Sequence, residues 1–225
     1  MSRSEFFLAE GKANLQQCIM ATLRAAHDSG LRKVIIFTAE GEGIVKALEL
    51  INSVEAYKDI ELIAVTFPPD YPFPANQHPV IPSDRERHFK AKGIPIIRQP
   101  LPFEGTLKAP TGDEIKGTLI RATYNTICGG LALCVQSALM ACDAEVVAEG
   151  EHVFAASADT AILVQACKSE HFFQGLVIRE ILCKPMILTV VKKEVVPKPE
   201  EKALPPTPEK EFPDSSEKDK GDPTP

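Results

Sequence analysis

A chain of 225 residues has room for one domain with a long appendage, or for two small domains. Its formal net charge of -6 argues against nucleic acid, which asks for a basic stripe, and gives no reason to expect an anionic membrane as partner. No apolar run approaches the ~20 residues of a membrane-spanning helix.

The amino terminus, MSRSEFFLAEGK, carries Glu5 and lacks the apolar stretch of a secretory signal, so the expectation is a soluble, cytoplasmic protein. From Lys12 to Ser29, apolar residues recur at helical spacing, and Gly30 closes the segment. Lys33–Thr38 (KVIIFT) reads as a strand. The loop Thr38-Ala-Glu-Gly-Glu-Gly43 then turns into a second helix from Ile44 to about Ser53, and Ile60–Thr66 (IELIAVT) is the second strand.

Residues 67–82 hold six prolines among Tyr71, Phe73 and His78, a composition incompatible with a helix or an interior strand. Ser83-Asp-Arg-Glu86 fits a capping box opening a short helix that Gly93 ends, followed by a third strand at Ile94–Ile97. Gln99–Pro110 is predicted to be loop. A second capping box, Thr111-Gly-Asp-Glu114, is predicted to open a helix to about Cys128.

Leu131–Asp143 (LALCVQSALMACD) dominates the second half. Only Gln136, Ser137 and Asp143 in it are polar, and a helix apolar on every side is a buried one. Gly129–Gly130 before it read as a turn out of another helix. Three apolar runs follow, at His152–Ala156, Thr160–Cys167 and Leu176–Cys183; such strands lie buried on both faces of a parallel or mixed sheet. From about Lys192 the composition turns to Pro, Lys and Glu, with eight prolines in residues 197–225. This segment is expected to be a disordered tail, since it cannot bury enough apolar surface to offset its ordering entropy. Residues 1–191 are then one three-layer α/β/α domain with a mainly parallel sheet.

Cysteines stand at 18, 128, 134, 142, 167 and 183 without a C-x-x-C pair and mostly inside apolar segments. They read as buried, reduced thiols acting as small hydrophobes, and not as zinc ligands or a disulfide framework. His27, His78, His88, His152 and His171 are scattered and show no metal-ligand spacing. Gly41-Glu-Gly43 opens like a dinucleotide loop, but Lys46 stands where the third glycine belongs and Thr66 where an acidic residue should end the next strand. A tight strand-to-helix turn, or a loop that uses Glu40 and Glu42 to bind a cation or a hydroxyl group, fits better.

Three stretches carry a resemblance to a known family: Phe7–Leu50 with KVIIFTAEGEGIVKAL, then CVQSALMACDAEVVAEGEHVFAAS, then ADTAILVQACKSEHFFQGLVIREILCKP. Together they cover residues 5–186 and are similar to free-standing proteins that resemble the carboxy-terminal α/β domain of pyruvate kinase. The resemblance implies a sheet of five to six strands in the order 3-2-1-4-5, with antiparallel strands late in the chain. It also implies a domain without catalytic residues, which carries subunit contacts and so a homo-oligomer interface. In many versions of pyruvate kinase this domain holds a sugar-phosphate site on the loop after its first strand. Some free-standing relatives are associated with flavin mononucleotide.

The residues implied at such a site are Thr38, Glu40, Gly41, Glu42, Gly43, Thr66, Asp159 and Thr160. Here Glu40 and Gly43 replace the Ser and Thr of the family's first loop. Only Thr66 survives of a Thr-His-His that often follows the second strand, and a Gly-rich insertion before Ala158 is missing. Two carboxylates in that loop oppose a phosphate that backbone N–H groups would attract.

Three hypotheses follow. The first is a non-catalytic small-molecule-binding or regulatory module for a phosphorylated ligand or flavin mononucleotide. The second is a small enzyme acting on a phosphorylated or flavin substrate, with Glu40, Glu42 and Asp159 as acid/base groups. The third is an oligomeric scaffold. Pyruvate kinase activity itself is not expected, because its barrel alone takes about 200 residues or more.

Overall fold

The computed structural model describes residues 4–73 and 79–186. His78 and the predicted tail lie outside the described residues. The chain builds β1 (Glu5–Phe7), α1 (Leu15–Ser29), β2 (Lys33–Phe37), α2 (Glu42–Ser53), β3 (Glu61–Thr66), α3 (Ser83–Ala91) and β4 (Ile96–Arg98). A small hairpin of β5 (Thr106–Lys108) and β6 (Glu114–Lys116) leads into α4 (Gly117–Asn125) and α5 (Gly129–Asp143). Then come β7 (His152–Ala156), β8 (Ala161–Gln165), the single turn α6 (Phe172–Gly175) and β9 (Val177–Pro185).

The main sheet has the order β1-β9-β8-β7-β2-β3-β4. Strands β7, β2, β3 and β4 run parallel, β8 is antiparallel to both of its neighbours, and β1 is parallel to β9. The fold is mixed α/β with a mostly parallel central sheet. No helix among the described residues is long and apolar enough to cross a membrane.

The two-residue period of the strands sorts the core. Ile35, Phe37, Ile63 and Val65 face one layer with α5 and the inner side of α4, while Val34, Ile36, Leu62 and Ala64 face the layer made by α1, α2 and α3. Helix α1 contributes Cys18, Ile19, Leu23 and Ala26 at helical spacing, and Gly30, in the left-handed region at φ 71°, closes it. Helix α5 is buried from Gly130 to Cys142 apart from the half-exposed Leu133. Each large apolar side chain buried this way stabilises the fold by about 1.5–3 kcal/mol.

Both buried polar residues of α5 have hydrogen-bond partners. Gln136 Oε1 accepts the Phe103 N–H at 2.9 Å, and Ser137 Oγ donates to the Cys134 carbonyl at 2.8 Å. A leucine at position 136 leaves that buried N–H without an acceptor, a cost of about 1–3 kcal/mol. The Gln136→Leu variant is therefore expected to unfold at lower urea concentration with an unchanged m-value. A midpoint equal to wild type would mean that water or another group satisfies the Phe103 amide.

Several local expectations are corrected. The sheet has seven strands, not five to six, because the three residues of β1 add an edge beside β9. A strand that short leaves no readable alternation.

Thr111–Glu114 is not a capping box. Thr111 Oγ1 bonds Asp113 Oδ2 at 2.7 Å, Gly112 turns at φ 91°, and Glu114 starts β6, so the helix begins only at Gly117. The predicted loop at 99–110 accordingly contains β5.

Ser83 does open α3, but without a side-chain cap. Glu86 turns instead to Lys90 and Arg98, each at 2.8 Å, and these cations hold its carboxyl below the usual range. Charge-assisted bonds outweigh a reach back to a backbone N–H. Finally, Gly129 and Gly130 are the first turn of α5, not a turn before it.

Candidate functional site

In an open α/β sheet the natural place for a ligand is beyond the carboxyl ends of the strands, where successive connections pass to opposite faces. Here that point lies between β2 and β7. The chain leaves β2 into α2 on one layer and enters β7 from α5 on the other. A crevice of about 190 Å³ opens there. Its floor is apolar, formed by Leu15, Phe37, Phe67 and Leu133, and its rim carries Thr38, Glu40, Glu42, Ser157 and Lys12.

Close packing fixes the loop after β2. Gly41 adopts φ 85°, and a Cβ on it would stand 3.0 Å from the Phe89 ring. A Cβ on Gly43 would lie 2.7 Å from Ile36 Cγ2. The Gly-x-Gly spelling thus serves the approach of helix to strand, and it needs no dinucleotide to explain it. Thr38 Oγ1 accepts the Gly43 N–H at 3.4 Å, and Arg85 from α3 donates to the Glu40 carbonyl at 2.8 Å. The first turn of α2 therefore points toward the crevice from a rigid seat.

Lys12 is the residue that sequence reasoning missed. Its Nζ lies 3.1 Å from Glu42 Oε2 and 4.0 Å from Glu40 Oε2, which places an ammonium between the two carboxylates. All three side chains are substantially solvated, so the pairing is adjustable. With one cation against two anions the rim keeps one net negative charge. No local pattern announces this contact, because Lys12 precedes β2 and reaches the loop only through the path of α1.

The eight expected site residues divide into two groups. Thr38, Glu40, Glu42 and Gly43 line the crevice, and Gly41 supports them from behind. Thr66 is buried, with its hydroxyl directed at the Ala39 carbonyl at 3.4 Å.

Asp159 and Thr160 are committed to the protein. Asp159 Oδ2 accepts the Gly11 N–H at 2.7 Å and Oδ1 accepts the Thr160 hydroxyl at 3.0 Å. The Thr160 carbonyl accepts the Ser157 N–H at 2.8 Å, closing the turn from β7 to β8. These bonds satisfy the buried carboxylate from within the protein and give both residues a structural role in the turn.

Beside the crevice, Phe67 packs edge-on against Phe37 at 5.0 Å between centroids and meets Tyr71 at 4.6 Å. All six cysteines are buried and free, and no group of three or more potential metal ligands occurs among the described residues. The chain matches no protein-family model.

Proposed function

We propose that this chain is a non-catalytic small-molecule-binding module whose ligand seats in the crevice between β2 and β7. The fold reading that accompanies it is the three-layer α/β/α domain, similar to the carboxy-terminal domain of pyruvate kinase. The observation that carries the proposal is the rigid loop 38–43, which presents the start of α2 and a charged rim to an apolar floor at the switch point of the sheet. At about 190 Å³ the crevice is smaller than the 300–1,000 Å³ typical of sites that engulf a whole ligand. It therefore suits a headgroup, with any larger ring or sugar projecting past Phe67. A phosphorylated ligand or flavin mononucleotide answers to this arrangement. The N–H groups at the start of α2 and the ammonium of Lys12 attract its phosphate, and Glu40 and Glu42 moderate that attraction. The enzymatic alternative draws no support from Asp159, whose two oxygens are both engaged.

The discriminating measurement is a calorimetric titration of wild type, Glu40→Gln, Glu42→Gln and Lys12→Met with flavin mononucleotide and with a sugar phosphate. Removing Glu42 releases Lys12 toward the ligand and removes one repulsion. Affinity should rise by up to roughly tenfold, the scale of one partly screened charge. Glu40→Gln should act in the same direction but less strongly, since Glu40 stands farther from Lys12, and Lys12→Met should weaken binding. Equal affinities across the four proteins, or no binding by any of them, would overturn the proposal. A coupled assay for phosphoryl transfer from phosphoenolpyruvate to ADP should stay at background.

A further inference from the structure

A second cavity lies at the opposite end of the parallel strands, around the amino end of β3. Its volume is about 610 Å³, three times that of the crevice and within the range of sites that enclose a small ligand. Its apolar wall includes Ile51 from α2, Ile60 before β3 and Ile94 before β4.

Its charge is one-sided. Lys33, Lys58 and Lys92 line the cavity against a single acidic residue, Glu61. Lys33 is held by Glu151 at 3.1 Å and by the Val146 carbonyl at 3.1 Å, and Lys58 pairs with Glu55. Lys92, at the end of α3, is exposed and has no ion pair among the described residues. A lysine presents a point charge on a long flexible stem, so Lys92 can follow a single anionic group at the mouth of the cavity.

We propose that this cavity is a second binding site, independent of the crevice, for a small amphiphilic carboxylic acid. The acyl chain lies against Ile51, Ile60 and Ile94, and the carboxylate is met by Lys92 at the rim. An anion without an apolar chain forfeits the wall, and an apolar molecule without a charge forfeits the lysine. Both halves are therefore needed.

The test titrates the full chain with octanoate, octanol and acetate by calorimetry and by amide chemical shifts. Octanoate should bind at least tenfold more tightly than either comparison compound and shift amides around Ile51, Ile60 and Gly93. Lys92→Glu, an exposed change that leaves the fold intact, should weaken octanoate severalfold and leave octanol unaffected. Ile51→Asp should abolish octanoate binding, and Glu42→Gln at the other end of the strands should not change it. The inference is overturned if octanoate fails to bind, if octanol or acetate matches it, if Lys92→Glu binds as wild type does, or if the shifts cluster around Thr38.

Discussion

Between pH 9 and pH 11 the protein is expected to lose a large part of its stability. Burial raises the Cys142 thiol to about 11 and the Cys167 thiol to about 12, from an ordinary value of 9.0. Cys134 is pushed well above the ordinary value by burial, and Cys18 by its hydrogen bond with Cys183 and then by burial. Below pH 9 the thiols are protonated in both folded and unfolded chains, and the full stability is present. Above pH 9 the unfolded chain releases these protons while the folded chain keeps them, so every further rise favours unfolding.

Each thiol contributes a slope of about 1.4 kcal/mol per pH unit until its folded value is reached. Cys142 and Cys167 alone then remove roughly 5 kcal/mol by pH 11, against a total stability of about 5–15 kcal/mol for a domain. Urea denaturation at half-unit steps from pH 8 to pH 11 measures the slope. Lysines also titrate in this range, so the comparison is with the Cys142→Ala/Cys167→Ala double variant, whose decline should be clearly shallower. Identical slopes would mean that the thiols ionise without unfolding the chain.

The second large effect is expected at Gly117, the first residue of α4. A Cβ there would lie 2.5 Å from Phe103 Cα and 2.7 Å from its carbonyl carbon and oxygen. These are backbone atoms, so no rotamer change relieves the clash. Phe103 cannot move freely either. It is fully buried, its N–H is bound to Gln136, and its ring contacts Tyr124 and Phe172 at 5.9 and 5.5 Å between centroids. Gly117→Ala should therefore cost about 3 kcal/mol, the upper end for overpacking, and lower Tm by roughly 6–12 °C in a domain of this size. Gly105, whose Cβ would meet nothing within 4 Å, is the control. Gly105→Ala should melt near wild type. Parallel melting of the two variants would show that the contact at Gly117 yields.

What could be read from the chain was what the solvent dictates. Helix α5 and strands β2, β3, β7 and β8 are so apolar that burial on all sides is their only stable setting, and their positions follow within a residue or two. The errors lie where short-range hydrogen bonding decides. Thr111–Glu114 spells a capping box, yet Thr111 closes a turn with Asp113, and the hairpin that results has strands too short to show alternation.

The candidate site divides in the same way. The loop 38–43 was legible because it joins two recognisable elements, whereas Lys12 reaches it only through the packing of α1 against the sheet. For Asp159 and Thr160 the sequence left a turn role and a ligand role both open, because a motif does not say whether a carboxylate also bonds back to Gly11, as it does here.

The pairing of β1 with β9 bears on how the protein is made. Glu5 lies in register with Cys183 and Phe7 with Pro185, so β1 waits for a partner strand that lies far along the chain. Strands β2, β3 and β4 and the helices between them are complete much earlier and can pack while synthesis continues. Closing a loop of this length costs only slightly more entropy than closing a shorter one, but it is the most non-local contact of the fold and is expected to form late. Until it does, the apolar face of Phe7 and the outer edge of β9 stand open together, and a chaperone or a neighbouring nascent chain can hold either of them.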